Sequence, residues 1–112
     1  MADYQRACAA ADVADGTAVR VVIDGTPVAI VRSSGEVYAI HDVCSHANVA
    51  LSEGEVADCT VECWLHGSRF DLRTGKPTGL PATEPVAVFP VEVRDDEIYV
   101  DTAVTLNGVH PS

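Results

Sequence analysis

The stretch CSHANVALSEGEVADCTVECWLHGSRF, residues 44–70, decides how the rest of the chain is read. Cys44 and His46 stand one residue apart, and after residues 47–62 Cys63 and His66 stand two apart. The intervening segment has the pattern of a β-hairpin. Two thiolates and two imidazoles, delivered in two short clusters, are what a metal centre needs when it is gripped between two loop tips.

The choice of metal follows from the order of the ligands. Structural zinc sites usually pair like with like, a Cys-x₂₋₄-Cys cluster followed by His-x₃₋₅-His. Here each cluster is mixed, one Cys followed by one His. That suits a binuclear centre in which each loop gives its Cys to one iron and its His to the other, the composition of a [2Fe–2S] centre with two His in place of two Cys. A zinc-holding structural or sensing module stays open as the alternative.

Cys44-Ser45-His46 and Cys63-Trp64-Leu65-His66-Gly67 resemble the paired C-x-H and C-x₂-H motifs of the Rieske family. The resemblance runs on through Phe70-Asp71, Thr74-Gly75-Lys76-Pro77 and the loop at Pro81 to a last strand near Tyr99. It implies one [2Fe–2S] cluster per chain, with Cys44 and Cys63 on the inner iron and His46 and His66 on the outer one. It also implies imidazoles bound through Nδ1, with Nε2 left at the surface as the electron's exit. Backbone N–H groups of the two loops, over Ala47, Asn48 and Val49 and over Leu65, Gly67 and Ser68, are the expected donors to sulfur. Pro81 is expected to close over the cluster, with a plain turn as the alternative.

Two departures from the family pattern bear on the potential. Respiratory Rieske proteins carry an extra Cys in each loop, joined as a disulfide; here those positions are Val49 and Leu65. They also carry a Ser and a Tyr whose hydroxyls bond to sulfur; Ser68 remains, but Phe70 has no hydroxyl. Two ferric ions, two sulfides and two thiolates sum to a neutral site, which takes an electron more readily than a Cys₄ cluster does. Fewer donors to sulfur stabilise the reduced state less. The expectation is a potential in the lower part of the Rieske range of about −150 to +300 mV.

The chain of 112 residues is the size of one small domain. No run approaches the roughly 18 apolar residues of a membrane span, and the N-terminus lacks the basic and apolar regions of a signal peptide. The expectation is a cytoplasmic protein. Four cysteines in such a chain point to metal rather than disulfides. Cys8 and Cys59 read as small apolar residues, with a Cys8–Cys59 disulfide as the alternative. Seven basic residues against seventeen acidic ones give a net charge of −10. Phosphate backbones would be repelled, which excludes nucleic acid, and an acidic surface suits docking on a basic patch of a redox partner.

Along the chain, strands are expected over 4–8, 17–23, 28–32, 36–40, 55–59, 60–63, 69–72, 86–93 and 97–100. The turn signals between them are Asp24-Gly25, Ser34-Gly35 and Asp95-Asp96. Many short strands imply an all-β sandwich. The family sharpens this to the Rieske fold, an antiparallel β-sandwich base with a small cluster-binding subdomain at about 42–74. Residues 1–101 are expected to be the single domain and 102–112 a mobile tail.

The resemblance implies a ferredoxin: a monomeric carrier of single electrons from a flavin-dependent reductase to a terminal non-haem iron oxygenase, often a dioxygenase, and not itself an enzyme. Small Rieske proteins of iron–sulfur assembly systems, including actinobacterial ones, and nitrite reductase small subunits are the alternatives. His41 reads as a surface or satisfied loop histidine, His110 as a solvated tail residue, and Asp71 and Arg73 as ordinary turn or strand residues. Trp64 reads as a cover for the cluster or part of a docking rim rather than an electron relay.

Overall fold

A computed structural model describes residues 4–44, 49–65, 67–79 and 84–109. Among these residues ten strands appear: β1 (Gln5–Ala9), β2 (Thr17–Ile23), β3 (Thr26–Ser33), β4 (Glu36–His41), β5 (Val56–Ala57), β6 (Thr60–Glu62), β7 (Arg69–Asp71), β8 (Val88–Phe89), β9 (Val91–Arg94) and β10 (Glu97–Val100). They form three antiparallel sheets with orders β1-β10-β9, β2-β3-β4-β8 and β5-β6-β7. Short 3₁₀ turns stand at Ala10–Asp12 and Leu51–Glu53.

Four of the hairpins turn on two residues that both have positive φ: Asp24-Gly25, Ser34-Gly35, Asp58-Cys59 and Asp95-Asp96. That backbone matches the right-handed twist of paired strands. The glycines at 25 and 35 adopt it without a Cβ penalty.

The four-stranded sheet is the middle layer. Along β3, Val28, Ala29, Ile30 and Val31 are all fully buried, and alternate residues face opposite sides. Ala29 and Val31 join Ile40, Val88 and Phe70 in one core cluster; Val28 and Ile30 join Ala39, Phe89, Ile98 and Val100 in another. The first core lies toward β5-β6-β7 and the second toward β1-β10-β9. An unbroken apolar run is what a strand covered on both faces requires.

The expected strand over 86–93 is two strands in two sheets. Pro90 has no N–H to give a ladder, and the chain crosses there from β8, paired with β4, to β9, paired with β10. Within the stretch expected as a tail, residues 102–109 make hydrogen bonds back to the sandwich. Asn107 Nδ2 donates to the carbonyls of Thr74 (2.9 Å) and Val86 (2.8 Å), and its Oδ1 accepts from the N–H of Val88 (3.2 Å) and Val109 (3.4 Å). The N–H of Leu106 donates to Val88 (2.7 Å). One amide side chain thus ties the chain end both to the turn after β7 and to β8.

Candidate metal centre

The two cysteines of the paired motifs both fall in the first core cluster. Cys44 is 2 % and Cys63 0 % exposed, neither is in a disulfide, and both belong to the first core cluster with Leu51, Val61, Phe70 and Leu72. Each opens a loop closed by its own backbone. Cys44 N–H donates to Val49 (2.9 Å); Cys63 N–H donates to Ser68 (2.6 Å), and Gly67 N–H returns to the carbonyl of Cys63 (2.8 Å). The second loop spans the end of the β6–β7 ladder, where Glu62 pairs with Arg69.

Buried thiols outside disulfides, at the mouths of two tight loops, are a donor set that fits an iron–sulfur centre. His46, His66, Ala47, Asn48 and Pro81 lie outside the described residues, as does His110. Among the described residues no three His, Cys, Asp or Glu side chains gather as a metal site.

Around the cysteines, Val49 packs against the first core and Ser68 is buried. Gly67 has φ +78°, and among the described residues, its chain neighbours aside, a β-carbon there would meet no atom within 4 Å. Glycine adopts that left-handed conformation without a Cβ penalty, and its N–H closes the loop. Trp64 and Leu65, at the tip, are 50 % and 44 % exposed.

Sequence reasoning missed two supports. Asp42, just after β4, is wholly buried and receives the N–H and hydroxyl of Ser52 (both 2.6 Å) and Nη1 of Arg20 (3.2 Å). Gly54, just after the 3₁₀ turn, lies against the carbonyl of Glu62, the residue before Cys63. An acid next to a motif and a glycine in a loop are ordinary locally; their roles come from contacts far along the chain.

His41 is buried, not a surface residue, and its N–H donates to Ala87 (2.9 Å). Burial holds its pKa below the usual histidine value, with Asp42 opposing and Arg20 adding to the shift. The Cys8–Cys59 disulfide does not form. Cys8 sits in the second core and Cys59 at the edge of the first, on opposite sides of the middle sheet. Cys59 instead hydrogen-bonds Tyr38, whose hydroxyl is pushed up to about 12, with burial adding to the rise. Asp71 caps its turn, accepting the N–H of Arg73 (2.8 Å) and Thr74 (3.2 Å). No helix among the described residues is long and apolar enough to cross a membrane.

A family model described as the Rieske [2Fe–2S] domain matches residues 3–90. The 3-phenylpropionate/cinnamic acid dioxygenase ferredoxin subunit of Escherichia coli (strain K12) is 50 % identical over 97 residues, covering 85 % of this chain and 90 % of that protein. The ferredoxin of carbazole 1,9a-dioxygenase from Nocardioides aromaticivorans IC177 superposes with a TM-score of 0.84 at 38 % identity, over 88 % of this chain and 96 % of that one. A chain in a complex of reduced oxygenase and oxidized ferredoxin in carbazole 1,9a-dioxygenase matches with a TM-score of 0.82 at 40 % identity, covering 88 % and 92 %.

Proposed function

The chain belongs to the Rieske [2Fe–2S] domain family, and from that premise we propose that it carries single electrons from a flavin-dependent reductase to a terminal non-haem iron oxygenase. The observation that carries this reading is the 50 % identity over 97 residues with a dioxygenase ferredoxin subunit. It is an electron-transfer component rather than a catalyst. In this reading residues 1–101 are the working domain, and about 42–74 its cluster-binding part.

Cys44 and Cys63 would hold one iron of a single [2Fe–2S] cluster, and His46 and His66 the other. When bound, the cluster supplies a reversible one-electron couple at low reorganisation cost. The chain's own residues do the rest. Burial of both cysteines keeps water from their sulfurs, and the bonds from Cys44 to Val49 and from Cys63 to Ser68 hold the loops at fixed shape. Trp64 and Leu65 offer an apolar rim beside the centre, suited to brief contact with a partner. The charge of −10 supports steering toward a basic docking face, and weakly so at high salt. Thiols outside disulfides support a reducing, cytoplasmic setting.

The test is an anaerobic redox titration followed by EPR, then reconstitution with a ferredoxin reductase and a Rieske oxygenase. A rhombic signal of low average g in the reduced protein, with turnover that depends on adding this chain, is the expected result. A colourless protein carrying zinc and no sulfide would overturn the reading.

A further inference from the structure

We infer that Arg20 and Asp42 form a charge pair that tunes the centre's potential from the residues just before Cys44, with Ser52 holding the carboxylate in place. The inference rests on the reading that Cys44 and Cys63 hold the cluster.

Asp42 lies two residues before Cys44, so their Cα atoms are at most about 7 Å apart. Its side chain is 0 % exposed, whereas that of Arg20 is 47 % exposed. Every contact described for the carboxylate is a donor: Ser52 N–H on Oδ1, and the Ser52 hydroxyl and Arg20 Nη1 on Oδ2. Arg20 also reaches the Asp42 carbonyl at 3.5 Å, and Asp42 N–H donates to Pro27 (2.9 Å). The acid is thereby fixed between β2, the β2–β3 hairpin and the 3₁₀ turn that follows the ligand loop.

A purely positional role would explain the hydrogen bonds, but the charges have a further effect. A fixed negative charge beside a site that gains an electron disfavours reduction, and in a poorly solvated interior it acts over several ångströms. The guanidinium of Arg20 is half in water, so it offsets only part of that field. Removing each partner's charge therefore moves the potential in opposite directions, which a loss of packing alone does not do.

The experiment is a spectroelectrochemical titration of the full chain with its cluster, as wild type, Asp42→Asn and Arg20→Gln, at low and high salt. Asp42→Asn should raise the equilibrium constant for reduction three- to tenfold, up to about 59 mV for a one-electron couple. Arg20→Gln should lower it, less so at high salt, with the EPR g-values unchanged. Shifts of the same sign, or none, would overturn the inference. If Asp42→Asn does not assemble a cluster, Arg20→Gln decides alone, and an unmoved potential counts against the pair. A wild type with no reducible cluster removes the functional reading itself, and this inference with it, before any variant is compared.

Discussion

Gly54 passes so close to Glu62 that a β-carbon at position 54 would overlap the Glu62 carbonyl oxygen and sit 2.8 Å from its carbon. The N–H of Glu62 meanwhile donates to Glu55 at 2.8 Å. This crossing fastens the segment after the 3₁₀ turn to the strand that leads into Cys63. Gly54→Ala has no flexible neighbour to push aside, only backbone. It should destabilise the fold by at least about 2 kcal/mol, read as a lower melting temperature, and should lower iron and sulfide content at matched protein concentration.

Asn107 makes four hydrogen bonds with one side chain. Asn107→Ala leaves the carbonyls of Thr74 and Val86 and the N–H of Val88 without that partner. The expected loss is about 1–3 kcal/mol, with faster hydrogen exchange at Val88. Asn107→Asp keeps the acceptor and loses both donors, so it should fall between wild type and alanine. Equal stability of wild type and Asn107→Ala would show that the tail contributes nothing.

Burial lowers the pKa of His41 in the folded chain. Between that lowered value and the ordinary value of about 6.5, the unfolded chain binds a proton that the folded chain does not, so stability rises with pH. Acidification through that window should weaken the fold. His41→Gln should flatten this part of the stability profile measured by urea denaturation, whereas an unchanged slope would assign it to other groups.

Trp64 is half exposed at the tip of the second loop and, among the described residues, is not one of the side chains packed on either core cluster. Trp64→Ala should leave the melting temperature and potential within error of wild type. It should slow electron delivery to an oxygenase roughly tenfold, the scale of an aromatic interface anchor. Stopped-flow oxidation of the reduced protein by the oxygenase measures this directly.

Much of the architecture was legible because local pattern and tertiary role agree. β2 occupies 17–23 as its β-branched run predicts, and the turns at Asp24-Gly25 and Ser34-Gly35 fall where their φ preferences put them. The paired Cys-His motifs pointed to a centre in the sequence; of their four residues the structure describes Cys44 and Cys63, both in the first core cluster. What escaped depends on distant partners. Pro90 was visible as a residue, but only the pairing of Val88 with Ile40 and of Val91 with Val100 makes it a crossing between sheets. Asn107 sits in a segment without periodicity, and its acceptors lie 33 and 21 residues away. Asp42 gains its meaning from Arg20 and Ser52, which no local spacing links to it.

The double-sided burial of β3 has a consequence for how the molecule comes apart. Val28 and Ile30 belong to one core, Ala29 and Val31 to the other, within four consecutive residues. Neither half can open without stripping one face of the same strand, so the two halves share a single cooperative unit. Cys44 and Cys63, both in the first core, are thus tied to the melting transition that the shared strand imposes on the two halves.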